Sequence, residues 1–305
     1  MCTKIHKIPN YKISIVLIKN TSHKMKTILI SLVITAVLGL FACKTKDTPT
    51  YFDVITTSKD EALIQSLFDD AQNEAEKEHV GSQDDALKQD STDSVIVTVD
   101  GGDNGFADTA WTITIDYGDG YTNKYGWVKK GKIVIAVTGF YRSKGSKRIM
   151  TFDNYFVNNH KVEGVHEVEN TGFDSTTMAY TFDVNVTNGK LTLSDGNIIT
   201  WDSQRTRSWT KGYDTPLIII DDEYSITGEA HGVNSEGKAF TKTIMQPLVI
   251  RPLCQFIQQG LVDIAVEGEH MANVNYSYGY VNNQTCDNEA QISTKNNTFT
   301  IDLQR

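Results

Sequence analysis

The most constraining feature of this sequence is an alternation of apolar and polar residues with a period of two, which begins near Val95. The segments SVIVTVD, WTITIDYG, KIVIAVTGFY and YTFDVNVT all alternate or are rich in β-branched residues. Successive side chains of a strand point to opposite faces of a sheet, so this pattern predicts strands with one buried face. The 22 glycines, five prolines and 10% aromatic residues also fit strands and turns better than helices.

Short polar segments separate these strands, and three of them look like tight turns: VNNHK (157–161), TNGK (187–190) and NSEGK (234–238). Asn and Gly readily adopt the positive φ angles that such hairpins require. We therefore expect residues 95–305 to form a mainly β domain. It is either an elongated antiparallel sheet or a sandwich of consecutive hairpins.

One helix is predicted before this domain, over residues 59–79. It opens on a capping-box pattern, Ser58-Lys-Asp-Glu61, and its apolar residues recur near helical spacing. Its later half is polar, so we expect that half to face solvent. Residues 80–94 are acidic and rich in Ser, Gln and Asp, which indicates a flexible linker.

Residues 28–42 form an apolar run that stops at Cys43. A helix needs about 20 apolar residues to cross a bilayer core about 30 Å thick, so this shorter run is typical of a signal peptide. Its end, Leu40-Phe41-Ala42-Cys43, resembles the lipobox of bacterial lipoproteins, although Phe41 is larger than the usual residue. In those proteins the cysteine thiol is lipidated and the chain is cut before it. An ordinary cleaved signal or a short membrane span is the alternative.

The lipobox resemblance implies that residues 25–42 are a signal peptide and that residues 43–58 are a lipid anchor and tether. Cys43 would carry acyl chains such as palmitate, each buried CH2 contributing about 0.8 kcal/mol, and more than one chain gives stable anchoring. Residues 1–24 are then an upstream-start artefact. The expected location is the cell envelope, at the outer membrane, on either its periplasmic or its external face.

Two further cysteines, Cys254 and Cys286, lie 32 residues apart in the β domain. The oxidising envelope allows them to pair, which the chain-entropy model values at roughly 3 to 4 kcal/mol. The sequence has no CxxC motif, so we expect neither a redox centre nor a zinc site. Two buried free thiols are the alternative.

The charge of the chain argues against nucleic acid as a partner. The formal net charge is -9, and the first 43 residues contribute six lysines and no acid. The remainder therefore carries -15, and such a body repels nucleic acid and anionic membrane surfaces. Its simplest consequence is solubility.

One strand-like segment, WDSQRTRSW, carries a candidate ligand face. If it is a strand, four large side chains share one side with Ser203: Trp201, Arg205, Arg207 and Trp209. Two indoles and two guanidiniums together could stack on sugar rings or hold an anionic group. Simple Arg–Trp stacking on an exposed sheet is the alternative.

Catalytic and metal-binding signals are weak. Asp116 and Asp119, in the string DYGDG, could supply oxygen ligands to calcium, but a hairpin turn using Asp and Gly explains them better. The sequence has no His-Glu-x-x-His, no Gly-x-Ser-x-Gly elbow and no phosphate-binding loop. We expect no metal and no cofactor, and we assign no catalytic residue. Whether the chain is an enzyme stays open, with a non-enzyme favoured.

Several ordered blocks resemble a family of uncharacterised lipid-anchored envelope proteins from the Bacteroidota. They include ITIDYGDG, TWDSQRTRSWTKGYDTP, PLVIRPLCQFIQQGLVDI and TCDNEAQI, and the similarity covers about residues 95–305. The resemblance implies a secreted, β-rich lipoprotein and no particular activity. The family usually has Asp-Tyr-Gly-Asp-Gly before its last block, where this chain has SYGYV (277–281).

These observations favour a lipid-anchored envelope protein with a non-enzymatic binding or structural role. The expected partners are the membrane, through the anchor, and a glycan or another envelope protein. The alternative function is that of a glycan-binding or carbohydrate-active envelope protein.

Overall fold

The computed structural model describes residues 49–82, 95–101, 110–123, 126–215, 218–252, 254, 256–278 and 286–303. The predicted segments 1–24 and 25–42, residue Cys43 and most of the predicted linker lie outside these residues. The described chain forms a helix, α1 (Tyr51–Ser82), then one antiparallel sheet and a short 3-10 helix at Ile219–Asp221. The strands are β1 (Ile96–Asp100), β2 (Ala110–Asp116), β3 (Tyr121–Thr122), β4 (Val128–Thr138), β5 (Lys147–Val157), β6 (His160–Asp174), β7 (Ala179–Thr192), β8 (Ile198–Lys211), β9 (Glu223–Val233), β10 (Ala239–Ile250), β11 (Gln259–Val266), β12 (Glu269–Asn275), β13 (Glu289–Ser293) and β14 (Thr298–Asp302).

The strands follow one another across the sheet in sequence order, and only the short β3 lies off this path, paired with β4. The prediction of a mainly β, antiparallel domain with one helix before it is therefore confirmed. The arrangement is a single open sheet of 14 strands rather than a sandwich.

The sheet curves around α1. Within residues 51–81 only four side chains are exposed, and the helix contacts strands from β4 to β12. The curvature has a local cause, because register shifts interrupt the pairing of β5 with β6, β6 with β7, β7 with β8 and β9 with β10. Such irregularities bend a strand and increase its twist. The alternating apolar residues of the strands thus face a helix on the concave side.

The helix begins at Tyr51, eight residues earlier than the predicted start at residue 59. The cap lies upstream, where the Thr50 backbone N–H donates to the Asp53 carboxylate, the arrangement expected of a capping box. Ser58, the predicted cap, lies inside the helix and is buried. Residues 51–58, predicted to be tether, are therefore helix. Val54 and Thr57 are fully buried, and this packing stabilises the helix there.

The later half of α1 is polar, yet only Asn73 and Lys77 of it are exposed and one side of it is buried, contrary to the prediction that this half faces solvent. Gln72, Glu76 and His79 are all buried, together with Ala71 and Ala75. A polar helix face is usually exposed to solvent. Here it is buried because the sheet opposite it also carries polar side chains, such as Arg148 and Arg207, that pair with it.

Two of the three predicted hairpin turns are confirmed. Asn158 and Asn159 have positive φ angles between β5 and β6, and Asn234 to Lys238 closes the turn between β9 and β10. The third, at 187–190, is wrong: these residues lie within β7 at a register shift between Val186 and Gly189. A Cβ on Gly189 would lie 2.3 Å from the Trp201 carbonyl oxygen. Glycine at this position therefore allows β8 to lie close to β7.

Alternate connections of a sequential antiparallel sheet lie at the same end of the sheet. We call one end the disulfide end, because Cys254 follows β10 and Cys286 precedes β13 there. Their sulfurs are 2.12 Å apart in a disulfide, which confirms the predicted pairing. We call the other the helix-start end. It carries the turns at 234–238 and 294–297, and the first turns of α1 contact it through Lys238 and Asn234.

Candidate functional site

The four residues of the predicted ligand face do share one side of β8. All four are buried on the same side of β8, as their alternation predicted. Trp201, Arg205 and Arg207 contact α1, whereas the Trp209 ring stacks on Tyr224 of β9. They are not accessible, however: each is at most 5% exposed, with Trp201 fully buried. The guanidinium of Arg205 lies 5.0 Å from the Trp201 ring centroid, so the Arg–Trp stacking alternative is present, but beneath a helix. The expectation of an accessible ligand face is therefore wrong, because α1 covers Trp201, Arg205 and Arg207, and aromatic side chains of the sheet cover Trp209.

The arginines of this face are paired with acids of the helix. Arg205 Nη1 lies 3.0 Å from Asp69 Oδ1, and Arg207 Nη1 lies 3.0 and 3.1 Å from the two oxygens of Glu76. Arg148, on β5, also donates to Glu76 Oε1 at 3.2 Å. One buried carboxylate thus serves two buried guanidiniums.

Further ion pairs join the sheet to α1, both between Asp69 and Glu76 and nearer the start of the helix. Lys129 Nζ lies 2.8 Å from Asp70 Oδ2 and 2.8 Å from Glu74 Oε1. Lys242 Nζ lies 2.7 Å from Glu61 Oε2, with both partners nearly inaccessible to solvent. At the helix start, Lys238 pairs with Asp53. The helix is held by ion pairs from its first turn to its last third, and we call this set the helix–sheet ion pairs.

Ion pairing opposes the effect of burial on the pKa values of Asp69, Lys129 and Lys242. Burial alone would raise the pKa of Asp69, but the guanidiniums of Arg205 and Arg207 outweigh it and hold that pKa below its usual range. Burial alone would lower the pKa of Lys129, but Asp70 and Glu74 outweigh it and raise that pKa. For Lys242 burial prevails, and its pKa is lowered although Glu61 opposes the shift. The pairs therefore compensate much, but not all, of the desolvation cost.

These residues were missed by sequence reasoning because each pair joins distant parts of the chain. Arg207 and Glu76 are 131 residues apart, and Lys242 and Glu61 are 181 apart. A signal was present, however. Asp69 and Glu76 are seven residues apart, close to two helical turns, which places these two acids on one side of a helix.

Two buried histidines lie in the same layer. His166 is fully buried and packs against Phe68, with ring centroids 5.7 Å apart. Burial, aided by the positive charge of Arg205, lowers the pKa of His166 to about 3. Burial and Arg148 likewise lower the pKa of His79 to about 3. His79 Nε2 lies 3.2 Å from the Gly139 carbonyl oxygen and Nδ1 lies 3.4 Å from Arg148, an arrangement in which Nε2–H donates and Nδ1 accepts.

The two histidines predict a pH dependence of stability. The unfolded chain binds protons at the histidines below about pH 6.5, whereas the folded chain resists protonation until about pH 3, so stability decreases as pH falls through this window. Each histidine is expected to contribute a slope approaching about 1.4 kcal/mol per pH unit between its two pKa values. Urea unfolding between pH 7 and pH 4 measures this slope. The variants His79→Gln and His166→Gln should each have a shallower slope, and an unchanged slope in both would contradict the assignment.

The predicted calcium candidates form a turn. Asp116 Oδ1 accepts the Gly118 backbone N–H at 2.8 Å, and Asp116 Oδ2 lies 2.8 Å from Lys132 Nζ. Asp119 is exposed in the same turn. Across the described ranges, no group of three or more His, Cys, Asp or Glu side chains is placed to hold a metal ion.

A pocket of about 110 Å³ adjoins the helix–sheet ion pairs. Asp69 and Asn73 line it from α1, and Arg207, Tyr224 and Arg251 line it from the sheet. Sites for small organic ligands usually enclose about 300 to 1,000 Å³, so this pocket is smaller than a typical ligand site. Arg207 is the member of the predicted face that lines it, and that arginine is already engaged by Glu76.

Among the described residues, no helix is long and apolar enough to cross a membrane. In comparison with known proteins, no family model, curated protein or solved structure matches this chain.

Proposed function

We propose that this chain is a lipid-anchored protein of the cell envelope, at the outer membrane, with a non-enzymatic binding or structural role. Cys43 carries the lipid, and the membrane is the first partner. The curved sheet is the part available to a second partner, such as another envelope protein. The alternative of a glycan-binding protein loses the residues proposed for it, since Trp201 is buried beneath α1 and Trp209 is buried against Tyr141 and Tyr224.

The observation that supports this proposal is the way the segment after Cys43 joins the sheet. Helix α1 begins eight residues after Cys43 and is held by ion pairs at Asp53, Glu61, Asp69 and Glu76. Force applied through the lipid would therefore act on α1, which is bonded to buried residues of the sheet. This construction suits a domain that must stay attached while a partner binds it.

The test is acylation of Cys43 in cells that express the full chain. Labelling with an alkyne analogue of palmitate should mark the wild-type protein, and mass spectrometry should find a mature chain that begins at acylated Cys43. Cys43→Ser should lose the label and leave the membrane fraction, because one thiol supplies the attachment site. Cys2→Ser is the matched control and should keep the label, since residue 2 precedes the cut. Label retained by Cys43→Ser, or an uncut upstream segment, would refute the proposal.

A further inference from the structure

We propose that Tyr51 and Phe52 lie in the headgroup region of the bilayer, so that the helix-start end of the sheet rests on a zwitterionic lipid surface. This inference rests on the proposed acylation of Cys43. It deepens that proposal by naming the surface that the membrane contacts and the lipid chemistry that suits it.

The first turn of α1 leaves two aromatic rings uncovered. Phe52 is 72% exposed and Tyr51 is 37% exposed, in a helix whose other side chains are mostly buried. The rings contact one another with centroids 5.5 Å apart, and Tyr51 packs on Phe299 at 4.4 Å. Fully burying a Phe side chain gains about 1.5 to 3 kcal/mol, and aromatic rings with a polar tip favour membrane interfaces. The two rings thus form a small surface that gains from contact with lipid.

The length of the tether brings these rings to the membrane. Eight residues separate Cys43 from Tyr51, and an extended chain spans at most about 3.3–3.6 Å per residue, or about 26–29 Å here. A tether this short keeps the rings at a local concentration in the millimolar range relative to the lipid surface. Even the weak affinity of two aromatic side chains then suffices to hold this end against the bilayer.

The charges at this end decide which lipid fits. Asp53 is already paired with Lys238, and Glu236 Oε1 accepts the Thr56 hydroxyl at 3.2 Å. Glu267 lies at the same end and accepts the Ala239 backbone N–H at 2.8 Å. This end also carries Asp60, Glu269, Lys59 and Lys295, so its five carboxylates outnumber its three ammonium groups and leave no excess of positive charge to attract anionic lipid. A zwitterionic surface offers the rings the same interface without repelling the acids.

Tryptophan fluorescence in vesicles tests the contact. The mature chain, purified from cells that express the full protein, is placed in phosphatidylcholine–phosphatidylethanolamine vesicles that contain brominated lipid, which quenches indoles at short range. The four native tryptophans are each at most 7% exposed and give a constant background. In Phe52→Trp the added fluorescence should be quenched by about half or more, because an interfacial ring lies about 5–10 Å into the headgroup–acyl boundary. Met245→Trp is the matched control, since Met245 is 60% exposed on β10, and its added fluorescence should be unaffected.

The outcomes separate this inference from the proposed function. A chain that fails to float with the vesicles refutes acylation of Cys43. A chain that floats while Trp at position 52 is quenched no more than Trp at position 245 refutes the contact alone. Quenching at position 52 that requires added phosphatidylglycerol would overturn the assignment of a zwitterionic surface.

Discussion

Replacing Glu76 with alanine is expected to lower the free energy of unfolding by about 3–5 kcal/mol. Glu76 is the shared partner of Arg148 and Arg207, which are 2% and 4% exposed. Removing the carboxylate leaves two buried guanidiniums without their ionic partner, and an uncompensated buried charge costs more than the pair contributed. Contacts of Arg207 with the Tyr224 ring, 3.6 Å from its centroid, offset only part of this loss. Urea denaturation followed by tryptophan fluorescence measures the change.

Glu78→Ala is the matched control, two residues along the same helix. Glu78 lies 3.6 Å from Lys77, and their side chains are 21% and 70% exposed, so water reaches this pair as it does not reach Glu76 and its arginines. An exposed pair contributes little, and we expect a change within about 0.5 kcal/mol. If Glu76→Ala cost no more than Glu78→Ala, the helix–sheet ion pairs would not hold the helix. Adding Arg207→Leu to Glu76→Ala should recover part of the lost stability, because it removes one of the unpaired charges.

Replacing Trp201 with alanine is expected to cost about 3–5 kcal/mol, the usual range for deleting a large buried aromatic side chain. Trp201 is fully buried and stacks on Phe68 of α1 with ring centroids 5.6 Å apart. Truncation opens a cavity between the sheet and the helix that surrounding side chains fill only partly. Thermal and urea unfolding should both report the loss.

The Trp201 result also separates two views of the WDSQRTRSW strand. An exposed ligand face predicts a stable variant that binds less ligand, whereas a buried face predicts a destabilised one. Met245→Ala is the control, because Met245 is 60% exposed on another strand and its truncation should change stability by less than about 0.5 kcal/mol. A Trp201→Ala chain as stable as this control would contradict the packing described above.

Sequence patterns predicted what depends on neighbours along the chain. The alternation of WDSQRTRSW placed Trp201, Arg205 and Arg207 correctly on one face of a strand, and the Asn and Gly of VNNHK and NSEGK marked true hairpins. The TNGK segment was wrongly predicted to be a turn. Its Gly189 allows a neighbouring strand to lie close, and local composition does not reveal that contact.

What could not be predicted depends on contacts between distant segments. Arg205 and Arg207 suggested an accessible site, because an arginine on a strand is normally solvated and nothing nearby in sequence neutralises it. The neutralising acids belong to α1, whose polar half suggested exposure for the same reason. The arginines of β8 and the acids of α1 were each judged from their own segment, whereas it is the pairing of the two sets that allows both to be buried.

The position of α1 ahead of every strand bears on how the chain folds. The helix is synthesised before the strands, yet its ion-pair partners in the sheet arrive as late as Lys242, and these ion pairs span 55 to 185 residues of chain. Non-local contacts of this kind slow folding, since a large loop must close before any of them forms. We therefore expect the chain to acquire its native structure in a late step, in which the sheet closes over a helix that was synthesised long before it.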